Sequence, residues 1–441
     1  MGQIVLRGKE PKAMPKISII TPSNNPKWLN LTMQSVLAQT YHDWEWVVML
    51  NNGAKWDGKA PGTDIVDARI RIIEVPGKFN YIGHIKNVAF GYGTGEILLE
   101  LDHDDCLAPD ALTKIAAAFE DPEVGFVYSD FAEFKWPTFE PNLFNAAWGW
   151  SYYPVKYKEE GKTYNLQAAH AFPVTPASIG YIYWAPNHPR AWRKSVYEAL
   201  GGHNSELEVA DDHDLIVRTY LSGTEFVHIP ECLYFYRVYP DQNVKAKNAR
   251  IQELTKKIYL ENITKIALRW SKDNGLHALD LGARFDPQPG YTIVDINLTT
   301  ELENQGHIKA DLSKPWPFAD KSVGVIRAYD FLEHLPDKQF TMSEIHRVLA
   351  PGGILLSGTP STDGRGAFQD PTHVAFFNVN SFWYFTKKNI ARYIDNTKMF
   401  AHIRLETGYP SKWHEENKIS YVFADLTPLH DGAPRYPGYE E

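Results

Sequence analysis

Gly95-Glu96-Ile97-Leu98-Leu99-Glu100-Leu101-Asp102-His103-Asp104-Asp105 is the stretch around which the rest of the chain is organised. Ile97 to Leu101, interrupted only by Glu100, predicts a mostly buried strand, and three carboxylates within four residues follow where that strand should end. Carboxylates this close repel one another unless a cation lies among them. Hard divalent ions such as Mg2+ or Mn2+ take oxygen ligands, keep waters and share substrate phosphates. The pattern therefore predicts a site for a metal-bound diphosphate. The competing reading makes one acid a helix cap, with Asp105 or a neighbour starting a helix at Pro109-Asp110-Ala111-Leu112. That accounts for one carboxylate and not for three.

Bulk properties bound the remaining possibilities. At 441 residues the chain exceeds one ordinary hydrophobic core, so two domains are expected. Hydrophobic content of 44% with 22% charged residues is globular rather than disordered. A net charge of -9 without a long Lys/Arg block disfavours nucleic acid or an anionic membrane as partner. The two cysteines, Cys106 and Cys232, exclude a disulfide framework and a cysteine zinc site and fit a reducing compartment. Met1 to Arg7 lacks a signal-peptide apolar core, and no run reaches about 18 apolar residues, so no membrane span and a soluble cytoplasmic protein are expected. The 13% aromatic content, with 13 Trp, suits surfaces that stack on sugars or bases, although core packing explains most of it.

Lys16 to Pro22 predicts a strand closed by a Pro turn, Trp28 to Leu37 a helix, Trp44 to Leu50 a strand ending at Asn51-Asn52-Gly53, Ile70 to Val75 another strand, and Ile82 to Phe90 a helix. This alternation predicts an open α/β sheet whose ligands gather beyond the carboxyl ends of its strands. Thr21-Pro22-Ser23, Asn51-Asn52 and Asp102-His103-Asp104-Asp105 all fall at such ends.

Residues 15 to 245 resemble a family 2 glycosyltransferase of the GT-A, nucleotide-diphospho-sugar transferase fold. The likeness is carried by Thr21-Pro22-Ser23-Asn24-Asn25, by Gln39-Thr40-Tyr41-His42-Asp43-Trp44-Glu45, by Gly83-His84-Ile85-Lys86-Asn87 and by Asp102-His103-Asp104. It implies that Thr21, Pro22, Ser23, Asn51 and Asn52 hold the nucleotide, that Asp102 and Asp104 hold Mn2+ or Mg2+, and that Lys86 helps neutralise the leaving diphosphate. Asn51-Asn52-Gly53 stands where the family has Asp-Asp-Gly, so selection of a base other than uracil is expected, since an amide donates as well as accepts. Lys86 replaces an Arg and loses its bidentate fork. Val209-Ala210-Asp211-Asp212-His213-Asp214-Leu215 matches the acceptor-site motif. Asp212 is then the general base taking the acceptor hydroxyl proton in an inverting transfer. Asp211 is either a second catalytic acid or, like Asp214, a balance to the helix dipole. Tyr236-Arg237-Val238-Tyr239 lacks the late His that completes the family's metal site, leaving Asp241 or water to substitute. The aromatic run from Trp136 to Tyr157 reads equally as a lid or acceptor surface and as a packed insertion.

From Lys245 to about Trp270 the spacing predicts a long amphipathic helix, closed by Lys272-Asp273-Asn274-Gly275. Beyond it, strands at His277 to Leu281, Tyr291 to Asp295, Ser322 to Arg327 and Ile354 to Ser357 predict a second, Rossmann-like doubly wound sheet. Residues 276 to 395 resemble a class I S-adenosylmethionine-dependent methyltransferase, most clearly in Phe331-Leu332-Glu333-His334-Leu335-Pro336 and Glu344 to Gly353. The resemblance implies cofactor binding through Gly282, through Asp295 at the ribose and through Asp311 near the adenine. Asp280-Leu281-Gly282-Ala283-Arg284 carries Arg284 where members have a second glycine, which sets a cation near the sulfonium. Asp370 and His373 in Gln369-Asp370-Pro371-Thr372-His373 are either active-site groups or a satisfied turn.

The expected organisation is 1–245 glycosyltransferase domain, 246–275 helical linker, 276–400 methyltransferase-like domain and 401–441 an extended tail, without internal repeats. The expected activity is metal-dependent inverting transfer of a sugar from a nucleotide-diphosphate donor to a glycan or other hydroxyl acceptor. The second domain then either methylates the glycan or serves as an inactive scaffold. The remaining alternative is a non-catalytic glycan- or nucleotide-binding protein.

Overall fold

The computed structural model describes residues 14–59, 63–239 and 244–430. They divide into two compact units, each with its own sheet. The first comprises the described residues up to Leu143 together with Ser151–Pro173 and Tyr181–Ile258; the second comprises Phe144–Trp150, Val174–Gly180 and the described residues from Tyr259 onward. The division expected at residues 245 and 275 therefore takes a different form. The 30-residue helix Val244–Asp273 runs through the change of unit, and two segments of the first half count with the second unit.

In the first unit the strands are β1 Ile17–Ser23, β2 Trp44–Leu50, β3 Ile70–Glu74, β4 Ile97–Glu100, β5 Cys106–Leu107, β6 Val124–Lys135, β7 Glu140–Pro141, β8 Tyr152–Glu159, β9 Lys162–Ala169, β10 Arg190–Arg193 and β11 Glu225–Val238. The sheet runs β3-β2-β1-β4-β10-β6-β11-β5, with β7 and β9 also pairing β6 and β8 pairing β9. Every residue of β2 and β4 is buried, as expected of mainly apolar strands flanked on both faces, although each carries one glutamate, Glu45 and Glu100. β3, β2, β1 and β4 are parallel, while β10 enters antiparallel between β4 and β6. Successive connections leave β1 in opposite directions, which opens a crevice at its carboxyl end. The register that pairs Ser23 with Leu50 and Ile20 with Glu100 brings Ser23, Asn51 and Asp102 to that one edge.

The second unit contains β12 His277–Leu281, β13 Thr292–Asp295, β14 Ile308–Lys309, β15 Val323–Tyr329, β16 Leu349–Pro360, β17 Phe400–Gly408 and β18 Tyr421–Pro428. Their order is β14-β13-β12-β15-β16-β18-β17, parallel through β16 and antiparallel at β18. Leu279, Val294, Ile326 and Leu355 from the strands pack with Ile345, Phe382 and Phe400 in one core. The expected tail is corrected here: Phe400–Gly408 and Tyr421–Pro428 are strands of this sheet, and every residue of β18 is buried. Asp425 breaks its apolar run and concealed it in the sequence; its carboxylate accepts the Tyr259 hydroxyl at 2.9 Å. The prolines at 434 and 437, Asp241 and the first seven residues lie outside the described residues. Among the described residues no helix is long and apolar enough to cross a membrane.

Candidate active site

β4 carries Glu100 into the interior, 1% exposed. Lys86, from the helix Ile82–Phe90, pairs with Oε1, and Arg190 Nε donates to Oε2 at 2.8 Å. Arg190 lies directly opposite Glu100 in the antiparallel β10–β4 pairing. Burial alone would raise the Glu100 pKa, but Arg190 and then Lys86 outweigh it and hold the carboxyl well below its ordinary range. Lys86 thus has Glu100 as its ion-pair partner, and Asp102 and Asp212 also act on its charge.

The turn after β4 assigns its three acids different tasks. Asp105 is buried; its Oδ2 accepts the Tyr234 hydroxyl and its Oδ1 the Arg237 backbone N–H, both at 2.8 Å. It anchors the turn and caps nothing, and Asp110 at the start of the helix Ala111–Ala118 makes no side-chain cap bond either. Asp104 Oδ2 accepts the Tyr239 hydroxyl at 2.9 Å. Tyr239, standing where the resemblance puts a ligand His, therefore orients a carboxylate. The Asp102 side chain is 31% exposed. Burial raises the pKa of Asp104, with His103 opposing and Asp102 adding to the rise. Asp105 is pushed well up by burial, then by Asp104 and Asp102. Arg237 Nε donates to the Asp104 carbonyl at 3.1 Å, and the carboxylates of Asp102 and Asp104 are oxygen ligands that fit a hard divalent ion.

Asp212 is the second residue of the helix Asp211–Leu221, which follows Ala210, whose φ of 60° is left-handed and unfavourable for alanine by roughly 1–2 kcal/mol. Its Oδ2 lies 2.6 Å from Arg190 Nη1 and its Oδ1 accepts the His213 N–H at 2.8 Å, with 23% of the side chain exposed. Burial would raise its pKa, but Arg190 foremost, and then Lys86, hold it well below the usual carboxylate range. Asp211 is buried, 2.9 Å from His203 Nδ1, so of the two expected catalytic acids only Asp212 reaches a cavity. Asp214 pairs with Arg218 one turn on. The cavity, about 230 Å³, is lined by Glu133, Asn187, His188, Arg190, Asp212 and Tyr236 among others. His188 Nε2 lies 2.7 Å from Arg190 Nη2 and 3.7 Å from Asp102 Oδ2, which links the acidic turn to Asp212 through two side chains. Glu100, Asp102 and His188 bring ligand atoms within 4.8 Å of one another, but Arg190 already bonds Glu100 and His188 and stands where a cation would.

Sequence reasoning missed Arg190, His188 and Glu133. The one available signal was Glu100, a charge within a buried strand that demanded a buried cation nearby. Glu133 Oε2 accepts the Asn142 amide at 2.8 Å, and burial pushes its carboxyl up to about 7. In the aromatic run Trp136 meets Trp28 edge-on at 4.9 Å, Phe139 stacks on Tyr164 at 3.7 Å, and Tyr157 is buried.

At the nucleotide side Thr21 is fully engaged, donating to the Leu101 carbonyl at 2.8 Å and accepting the Trp46 indole N–H at 2.9 Å. Pro22 follows it on β1, partly exposed. The Ser23 hydroxyl and Asn51 Oδ1 are buried with no partner, and the Asn51 N–H donates to the Ser23 carbonyl at 2.9 Å. Asn52 clamps the Phe79 backbone, its Oδ1 accepting at 2.8 Å and its Nδ2 donating at 3.2 Å to the carbonyl. A recess of about 530 Å³ adjoins it, bounded by Gly53, Lys55, Glu74 and Lys78. Buried polar atoms without partners are rare in folded chains, and two on adjacent strand ends fit a polar ligand.

In the second unit Gly282, Asp295 and Asp311 lie at or just beyond the carboxyl ends of β12, β13 and β14, which are neighbours. Gly282 has φ 70°, and a Cβ there would meet Phe331 at 2.6 Å, so glycine is required. Asp280 is held by Arg327 at 2.9 Å and by the Gln288 N–H at 2.9 Å. Asp295 Oδ1 accepts the Asn297 N–H at 2.7 Å. Asp311 is partly exposed, and Ser313 foremost lowers its pKa. Arg284 reaches the Asn297 carbonyl at 3.4 Å and lies over the Phe285 ring.

Residues 18–175 match the profile of glycosyl transferase family 2. This part of the chain is similar to a family 2 glycosyltransferase domain. Residues 284–357, in the second unit, match a methyltransferase domain. The O-antigen biosynthesis protein RfbC of Myxococcus xanthus is 24% identical over 243 residues, 51% of this chain and 16% of that protein. An N-acetylglucosaminyltransferase of Bradyrhizobium elkanii is 26% identical over 122 residues, 25% of this chain and 64% of that one. A probable S-adenosylmethionine-dependent methyltransferase of Mycolicibacterium smegmatis is 37% identical over 67 residues, 14% of this chain and 26% of that protein. The chain spans 16% and 24% of the first curated relatives it matches. Among solved structures, S. aureus TarS 1-349 in complex with UDP-GlcNAc aligns at 14% identity and TM-score 0.41, covering 58% of this chain and 71% of that one. The mannosyltransferase PcManGT from Pyrobaculum calidifontis, in complex with GDP-Man and Mn2+, aligns at 19% identity and TM-score 0.37, covering 60% and 67%.

Proposed function

We propose that the glycosyltransferase domain moves a hexosyl group from a nucleoside-diphosphate sugar to an acceptor hydroxyl with inversion at the anomeric carbon, Asp212 taking the acceptor proton. One observation carries this reading. Asp212 is an ionised, partly exposed carboxylate on a small polar cavity, and His188 on that cavity lies 3.7 Å from Asp102 of the acidic turn. Asp102 and Asp104 would hold Mn2+ or Mg2+, which supplies charge neutralisation for the departing diphosphate. Arg190 keeps Asp212 oriented, Ser23 and Asn51 offer free polar atoms to the nucleotide, and Asn52 shapes the recess beside them. The Asn51-Asn52 pair supports a base other than uracil. The relatives named for O-antigen biosynthesis and N-acetylglucosamine transfer support a saccharide acceptor. The net charge of -9 argues against nucleic acid, and a cytoplasmic setting follows from the same reading.

The methyltransferase domain would methylate the glycan, with Gly282, Asp295 and Asp311 holding S-adenosylmethionine, which supplies an electrophilic methyl group. A scaffold role is the second reading, favoured by Arg284, whose guanidinium lies at the strand end next to Asp295. A thermal-shift panel of nucleotide sugars with and without Mn2+, followed by transfer assays on the stabilising donor, tests the first proposal. A Mn2+-dependent donor shift and turnover lost in Asp212→Ala support it. Turnover that survives that substitution removes Asp212 from the proton transfer.

A further inference from the structure

Glu333, His334 and His373 lie at the carboxyl end of the second sheet, away from the glycosyltransferase residues in sequence and unused by the reading above. Glu333 and His334 follow β15, and His373 belongs to the loop after β16. Each side chain has one polar atom tied down and one left over. Glu333 is 1% exposed; its Oε2 accepts the Thr359 hydroxyl at 2.6 Å, and its Oε1 is buried with no partner. His373 Nδ1 lies 2.9 Å from the Ala367 carbonyl, and a carbonyl only accepts, so Nδ1 donates and Nε2 is the nitrogen left to ligate. His334 Nδ1 lies 3.2 Å from both the carbonyl and the hydroxyl oxygen of Thr372, and that hydroxyl gives its own proton to Asp370 Oδ1 at 2.6 Å, so His334 Nδ1 donates and Nε2 is the nitrogen left to ligate. His373 Nε2 stands 3.9 Å from Glu333 Oε1, and one ligand atom from each of the three residues lies within 4.8 Å of the others. The imidazole rings meet edge to face with centroids 5.1 Å apart.

Imidazoles whose Nδ1–H groups are held by backbone carbonyls, beside a carboxylate whose second oxygen is held by a hydroxyl, are the supports that metal-ligating side chains use. Glu333 Oε1 is buried without a hydrogen-bond partner, and a cation between it and His373 Nε2 would satisfy both atoms. Two imidazoles and one carboxylate suit a divalent transition ion of borderline softness and leave coordination positions open. Asp370 Oδ2, 4.0 Å from His373 Nε2, borders the same space. We propose that Glu333, His334 and His373 form a mononuclear site for a divalent transition ion such as Zn2+, with positions open to hydroxyl oxygens of a saccharide. The site stands whether or not the domain takes a methyl donor. It differs from the Asp102–Asp104 turn in its nitrogen ligands.

Co2+ added to chelator-stripped full-length protein reads this difference, because imidazole-bound Co2+ of low coordination number absorbs visible light more strongly than an all-oxygen six-coordinate ion. The strong band should persist in the Asp102→Asn, Asp104→Asn double variant. It should be lost, with Co2+ affinity down by roughly tenfold or more, in His373→Gln. His334→Ala, at a half-buried position, gives the same reading should His373→Gln fail to fold, as near-ultraviolet circular dichroism would show. Wild-type Co2+ spectra and affinity in a folded His373→Gln or His334→Ala protein, or loss of the band in the double variant, overturns the proposal.

Discussion

Arg190 Nη1 lies 2.6 Å from Asp212 Oδ2, and the same guanidinium bonds Glu100 and His188. This one buried cation fixes where the proposed base points and also lowers its basicity. Asp212→Asn should reduce kcat by roughly 10²–10⁴ while leaving nucleotide affinity near wild type. Because Arg190 keeps Asp212 ionised far below neutrality, kcat should show no acid limb from Asp212 between about pH 5 and 8. A limb centred near 7 would instead assign proton transfer to Glu133, whose carboxyl burial pushes up to about 7 on the same cavity.

Tyr239 touches Asp104 and not the proposed ion, so its removal should be felt at one remove. Tyr239→Phe is expected to weaken Mn2+ binding by about tenfold, read by electron paramagnetic resonance of free Mn2+. Asp102→Asn should abolish the Mn2+-dependent donor shift altogether. Equal Mn2+ affinity in wild type and Asp102→Asn would remove the ion from that turn.

The Ser23 hydroxyl has no partner, so deleting it costs the fold nothing. Ser23→Ala should leave stability unchanged or raise it by about 1 kcal/mol, and should weaken nucleotide binding by about tenfold, the worth of one hydrogen bond. Thr21→Ala, which breaks two buried bonds, should do the reverse and lower stability. Denaturant unfolding and nucleotide titration separate the two.

Asp425 gives the second unit a pH dependence of opposite sign to that of a paired carboxylate. Burial foremost lifts its pKa from 3.8 to about 6. The unfolded chain releases this proton at lower pH than the folded one, so stability falls as pH rises from 3.8 to about 6 and stays reduced above. Asp425→Asn should therefore stabilise by up to about 3 kcal/mol at pH 8 and by little at pH 4, in paired urea titrations.

Arg284 decides between the two readings of the second domain. If the domain takes S-adenosylmethionine as it stands, calorimetry on wild type gives binding and Arg284→Gly changes it little. If the domain is a scaffold, wild type gives no heat, and heat appearing in Arg284→Gly shows that the guanidinium closed the site.

The parallel strands were legible because burial on both faces leaves continuous apolar runs: β2 and the helix Ile82–Phe90 begin and end where their sequence says. β18 was hidden by Asp425, and β10 was too short, at four residues, to declare itself. At the site, motif spacing led to Asp102, Asp104 and Asp212, since those side chains follow strand ends and helix starts. It did not foresee the pairing of Lys86 with Glu100 and left Asp211 open, because which acid a buried cation chooses depends on strands paired across the sheet. Arg190 meets Glu100 only through an antiparallel register joining residues 90 apart in the chain.

The second unit draws on Val174–Gly180 as well as on the last part of the chain, and the Val174 carbonyl accepts the Trp270 indole N–H at 2.9 Å. A gene cut at residue 276 would thus deliver a protein missing pieces of its own interior. Exchange of this half between enzymes, by recombination or by an engineer, must carry along stretches encoded far upstream, so the two halves have to be inherited together.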